Sequence, residues 1–144
     1  MQFTVDQLNE GIEIYNQLPI KTKSNNVVIK SIYGVDGFKY SKSIGGVFTL
    51  RAIHTNNHFG NPYSSVQFVL DKNKDLIRCI STTESVCKYS TWVLYSSDQR
   101  AQWIRSILKS GILKNKPLVY YKELDQPSHA NALDYLINIY EFKD

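Results

Sequence analysis

Three histidines are the side chains of this chain best suited to proton transfer near neutral pH, and two of them share one loop. The stretch His54-Thr-Asn-Asn-His58-Phe-Gly-Asn-Pro-Tyr-Ser-Ser65 sets them among three asparagines, a tyrosine and three hydroxyl side chains around a Gly-Asn-Pro turn. Short loops are made with fewer polar groups, so this one reads as a binding site. Asn61 either bonds its own turn as an Asx motif or presents its amide to a base or ribose, and the sequence favours neither. His58, Tyr63 and Ser64 are its companions as ligand-binding candidates. The third histidine, His129, follows Ser128 at the expected start of a helix. A helix N-terminus opposes imidazolium charge and lowers the pKa, which suits a neutral base or hydrogen-bond donor. His129 is therefore the catalytic candidate.

Other chemistries find less support. A three-histidine metal site of His54, His58 and His129 lacks HxxxH or CxxC spacing and an acidic cluster, so capping or surface roles are preferred. Ser64, Ser65 and Ser128 offer hydroxyls without a GxSxG elbow. Gly34–Gly37 and Gly45-Gly46 are too short to cradle a phosphate chain, and no cofactor signature is present. Cys79 and Cys87, the only cysteines, read as reduced, buried thiols.

The elements that must position these groups follow from periodicity. Thr4 with Gln7 forms a capping box, and Leu8, Ile12, Tyr15 and Leu18 recur at helical spacing before Pro19. Ser81 with Glu84 opens a second helix facing inward through Val86, Tyr89, Trp92 and Val93. Ser96 with Gln99 opens a third, with Trp103, Ile104, Ile107 and Leu108 on one stripe. Gly111 is its left-handed stop, and Ile112 is placed to fold back over the last turn. A fourth helix begins near Ser128 and uses Leu133, Leu136, Ile137 and Tyr140. Strands are expected over 27–33, 47–53 and 118–121, with an edge piece at 38–40 and a hairpin of 66–70 with 76–80. The order implies one α/β domain over 1–144, a mixed sheet flanked by about four helices. Trp92 and Trp103 read as core, and Tyr63, Tyr120 and Tyr121 as strand residues that pack or stack on a flat ligand.

If the strands 47–53 and 118–121 are parallel neighbours, the loops 54–65 and 120–131 share a rim. Ligands collect beyond the carboxyl ends of such strands. Backbone N–H groups at the Ser128 helix would favour an anion, and Lys122 would add charge. Tyr121, Ser128 and Asn131 complete the candidate pocket.

Phe59-Gly60-Asn61-Pro62-Tyr63-Ser64, Leu118-Val119-Tyr120-Tyr121-Lys122 and Pro127-Ser128-His129-Ala130-Asn131-Ala132-Leu133 carry a resemblance. Over residues 47–140 the chain resembles an uncharacterised family of small bacterial and phage proteins. Those proteins have a Gly-Asn-Pro-Phe loop and a C-terminal Cys-Trp-Cys…Cys-His-Gly-Asp segment. Tyr120, Lys122 and Ser128 stand where the family has cysteines, and Asn131 where it has aspartate, while His129 keeps its identity. The resemblance implies an α/β fold with a pocket between the two loops, a phage or mobile-element setting, and no established activity.

Charge divides the chain. Residues 1–20 hold Asp6, Glu10 and Glu13 with no Lys or Arg, whereas 21–60 hold Lys21, Lys23, Lys30, Lys39, Lys42 and Arg51 against Asp36 alone. Apolar runs are too short to span a bilayer, and the N-terminus lacks a secretory pattern, so a cytoplasmic protein is expected. Two functions of different class emerge. One is a pocket for a nucleotide- or NAD-derived ligand, bound or cleaved, between 54–65 and 120–131. The other is a non-enzymatic protein acting on nucleic acid or a host protein through 21–51, with Lys30, Lys39, Lys42 and Arg51 as its surface.

Overall fold

The computed structural model describes residues 2–18, 37–52, 55–120 and 126–142, and the backbone of 27–29. Its helices are α1 (Val5–Asn16), α2 (Gly37–Ser43), α3 (Gln67–Lys72), α4 (Thr82–Tyr95), α5 (Gln99–Ser110) and α6 (His129–Asn138). Its strands are β1 (Val27–Ile29), β2 (Val47–Phe48), β3 (Tyr63–Ser64), β4 (Ile77–Arg78) and β5 (Leu118–Tyr120). The class is α/β, as expected, with the described strands in two small parallel sheets, ordered β1-β5-β2 and β3-β4.

β5 is the centre of the larger sheet. Leu118, Val119 and Tyr120 are all buried, as a continuous apolar run in a parallel strand requires. Val119 pairs with Val28 on one side and Phe48 on the other. α2 packs on β2 and β5, and α6 packs on β5 and β1.

α4 is the hub of the helical layer, touching α1, α5, α6 and β3. Tyr89, Trp92, Val93 and Leu94 are buried around consecutive sides of it, which fits a helix surrounded by neighbours rather than one on a surface. Ser81 caps it by accepting the Glu84 N–H at 3.1 Å, as the sequence predicts. The Thr4–Gln7 capping box of α1 also forms, with bonds of 3.0 and 3.1 Å. Gly111 closes α5 at φ +75°.

Several local expectations are corrected. Residues 38–40 lie in α2 and 67–70 in α3, so neither is strand. β4 pairs in parallel with β3, across the α3 crossover, and the expected hairpin does not form. Asp98, not Ser96, caps α5 by accepting the Arg100 N–H at 2.9 Å, and Ser96 Oγ instead takes the Asp98 N–H. Ile112 is exposed and Leu113 is the residue that returns to the core. Trp103 is half-buried against Phe59, with ring centroids 5.0 Å apart. α1 turns Gly11 and Ile14 inward and Leu18, just past its end, is buried as expected, while Ile12 stays exposed. Cys79 is buried and Cys87 half-buried, both free, and burial raises both thiol pKa values. No helix among the described residues is long and apolar enough to cross a membrane.

The inward rotation of α1 depends on Gly11. A Cβ there would lie 2.3 Å from Thr91 Oγ1 and 2.5 Å from the Cys87 carbonyl oxygen. Thr91 is itself held by donating to the Gln7 carbonyl at 2.9 Å, so the contact cannot yield without moving a helix. Gly11→Ala should therefore destabilise the fold by about 1–3 kcal/mol in urea denaturation, despite alanine's better helix propensity. Asn9→Ala, on the exposed side of α1, should stay within about 0.5 kcal/mol of wild type. A Gly11→Ala protein as stable as wild type would show that the two helices are not in closest contact here.

Candidate functional site

The parallel pairing of β2 with β5 puts the C-terminal ends of both strands on one rim of the sheet. His129 is the first residue of α6, and its ring reaches back to that rim. Its Nε2 lies 2.7 Å from the Thr49 carbonyl oxygen, just beyond β2. A carbonyl only accepts, so Nε2 carries the proton and Nδ1 the lone pair. Thr49 in turn donates its hydroxyl to the Val119 carbonyl at 2.7 Å. The imidazole meets the rings of Tyr89 and Tyr120 edge-on, with centroids 5.1 and 5.4 Å away.

His129 is 7% exposed, and its pKa is lowered from 6.5 to about 4. Burial is the largest cause and the charge of Arg100 adds to it, while the Thr49 bond opposes both. The neutral imidazole expected from the helix N-terminus is thus produced chiefly by desolvation.

Two neighbours complete the α6 start. Asn131 is 1% exposed, and its Oδ1 accepts from both the N–H and the hydroxyl of Ser128, each at 2.9 Å. Its Nδ2 is buried with no hydrogen-bond partner among the described residues. An unmet buried amide donor costs about 1–3 kcal/mol, so this one is a reason to look for an acceptor.

The loop is fastened from the opposite side. Asn61 accepts the Tyr63 N–H at 3.0 Å and donates Nδ2 to Ser85 Oγ at 2.8 Å and to its carbonyl at 3.2 Å. Ser85 Oγ donates to the Tyr63 carbonyl at 2.9 Å. The Asx reading of Asn61 therefore holds. Ser64 likewise bonds locally, accepting the Val66 N–H at 3.2 Å. Tyr63 and Tyr120 are core side chains, the packing reading of each. Gly60 sits close to its neighbours: a Cβ there would lie 3.0 Å from both the Arg51 nitrogen and His58 Nδ1, so one of them would have to shift.

His58 Nδ1 accepts the Gly60 N–H at 3.2 Å. Its pKa also falls to about 4, first through burial, then through Arg100 and Arg51, with Asp75 opposing. Tyr89 joins loop to helix: its hydroxyl donates to the Phe59 carbonyl at 2.7 Å while its ring edge meets His129.

Arg100 is the functional candidate that the sequence argument missed. Its Nη1 donates to the His58 carbonyl at 3.0 Å and the Gly60 carbonyl at 2.6 Å. The guanidinium carbon lies 4.6 Å over the Trp92 ring. Two bonds use both Nη1 hydrogens, and the Nε–Nη2 edge has no hydrogen-bond or carboxylate partner among the described residues. That edge is the fork that matches a phosphate or carboxylate. Burial lowers the Arg100 pKa, so little solvent screens its charge. One signal was visible in the sequence: a cation in the first turn of α5 opposes the helix dipole, a local conflict of the kind that marks functional positions.

The remaining candidates fall apart from this centre. Lys39 and Lys42 are exposed on α2, with Lys42 Nζ 4.7 Å from the Phe38 ring centroid. Arg51 Nη1 lies 2.6 Å from Asp75 and is ion-paired there. Lys30, His54, Tyr121 and Lys122 lie outside the described residues, as do Lys21, Lys23 and Asp36. Among the described residues no three His, Cys, Asp or Glu side chains are grouped to hold a metal. Protein-family models, curated proteins and solved structures were each compared with the chain, and none matches.

Two depressed histidines make stability depend on pH. Each takes up a proton near 6.5 when unfolded but only near 4 when folded. Between those values the unfolded chain binds more protons, so stability is full above about pH 7 and falls as pH drops through 4. For His129 the loss is on the order of 3 kcal/mol. Urea midpoints measured from about pH 8 to pH 4.5 should fall steeply for wild type and less steeply for His129→Gln. Equal slopes would show that His129 is not buried in neutral form.

Proposed function

We propose that the chain binds a phosphate-bearing small molecule of the nucleotide class on the rim where loop 55–65 meets the start of α6. The observation that carries this reading is Arg100: a half-buried cation with its bidentate edge unpaired among the described residues, placed against the loop by its other nitrogen. Both histidines beside it are neutral, so an anion would meet one strong point of attraction rather than a diffuse basic surface. The half-buried pair Phe59–Trp103, next to the loop carbonyls that Arg100 grips and one turn along α5, offers aromatic surface for a base. In this reading His129 positions the rim through Thr49, and any proton transfer passes through its Nδ1. The alternative basic surface over 21–51 has less support, because Arg51 is already paired with Asp75.

Calorimetric titration with pyrophosphate, ADP, NAD, ADP-ribose and cyclic dinucleotides tests the proposal. At least one should bind, and Arg100→Lys should weaken it about tenfold to a hundredfold, since lysine keeps the charge but loses the fork. His58→Gln, which keeps the loop without an imidazole, should retain most of the affinity. Failure of every ligand, or unchanged affinity in Arg100→Lys, would overturn the assignment.

A further inference from the structure

Two arginines meet at Gly60. Arg100 holds its carbonyl through Nη1 at 2.6 Å. The backbone of Arg51 packs against the same residue, its nitrogen 3.0 Å and its Cα 3.2 Å from where a Gly60 Cβ would stand. His58 is there too, its Nδ1 accepting the Gly60 N–H at 3.2 Å. The charges of both arginines lower the His58 pKa and Asp75 opposes them, so all three act on one imidazole. Asp75 stands on the turn that leads from α3 into β4, closed by the Leu76 N–H donating to the Asn73 carbonyl at 3.1 Å.

The head group of Arg51 is occupied by that carboxylate, but loosely. Its Nη1 donates to Asp75 Oδ1 and Oδ2, both at 2.6 Å, so a single nitrogen carries the whole pair. The Nε–Nη2 edge takes no part in it, and the bidentate fork is unused. The pair is open to water, with 42% of the Arg51 side chain and 61% of the Asp75 side chain exposed. Such a pair contributes little to stability and is readily exchanged. A phosphate carries more charge and more acceptor oxygens than a carboxylate, and it matches the guanidinium fork.

On the reading that Arg100 binds a phosphate, we propose that Arg51 is the second cation of that site, released from Asp75 when the ligand carries two adjacent phosphates. The rim then selects the diphosphate class over monophosphates. One phosphate takes the free edge of Arg100, and the next takes the fork of Arg51. Asp75 is the resident anion that holds the second arginine and keeps it from collecting single anions. Its carboxylate therefore competes with the ligand, and the wild-type chain binds more weakly than one without it.

Calorimetric titration with ADP and AMP tests this. Wild type should bind ADP at least about tenfold more tightly than AMP. Arg51→Gln should cut that ratio to about twofold by weakening ADP alone, with the melting temperature unchanged because the side chain is exposed. Lys74→Gln, which removes an equal charge from the turn beside Asp75, should leave the ratio as in wild type. Asp75→Asn should tighten ADP about threefold to tenfold, a gain that vanishes when Arg51→Gln is added. Arg100→Lys should weaken both nucleotides alike. If Arg51→Gln keeps the wild-type ratio, if Lys74→Gln lowers it equally, or if the Asp75→Asn gain persists without Arg51, the second cation is overturned while the Arg100 site stands. Binding of neither nucleotide, or binding indifferent to Arg100→Lys, would overturn both readings together.

Discussion

The phenol of Tyr89 is the constraint on which the site depends. It is fully buried at the middle of α4, where a hydroxyl without an acceptor would cost about 1–3 kcal/mol. The Phe59 carbonyl is that acceptor, and burial keeps the phenol protonated by raising its pKa. Satisfying one core side chain thus draws a surface loop onto the helical layer. The same ring then abuts His129, so the placement of α6 on the sheet and of the loop on α4 are set by one residue.

Electrostatically the rim is simpler than its composition implies. Histidines and basic residues could have made it a broad cationic patch. Instead desolvation discharges His58 and His129, Asp75 neutralises Arg51, and among the described residues Arg100 is left as the concentrated charge. The polar side chains of the loop mostly build the loop. Asn61, Ser64 and Ser85 are consumed in turns and anchors, which gives the backbone carbonyls of His58 and Gly60 a fixed position for Arg100 to grip.

Much of this was legible in residue order where the physics is local. The caps at Thr4, Ser81 and Ser128, the stop at Gly111 and the apolar run of β5 rest on neighbours a few positions away, and each stands where the residue order puts it. What was misread depends on distant partners. Residues 66–70 have strand-like composition, yet a parallel β3–β4 pair needs a crossover between its strands, and 67–72 supply it as helix. The stripe Leu8, Ile12, Tyr15 and Leu18 is a true periodicity of which Leu18 is buried and Tyr15 packs on the core, while Ile12 is exposed because the closest approach of α4 is at Gly11. The importance of His129 was visible from its place before a helix, but the burial that sets its pKa comes from Tyr89 and Tyr120. Arg100 gives little sign of its role in the residue order, because its partners are carbonyls 42 and 40 positions upstream.

The position of β5 has a consequence for how the chain matures. Its two sheet neighbours, β1 and β2, come early in the chain, yet neither pairs with the other; both hydrogen-bond to a strand that begins at Leu118. During synthesis the N-terminal strands emerge long before the strand that joins them, so their edges stay open while most of the polypeptide is made. Loop closure over that separation makes the central pairing a late and slow event relative to the neighbouring helices α4 and α5. The helical hub is thus the part that can consolidate first, and the rim of the sheet, with everything it holds, is assembled last.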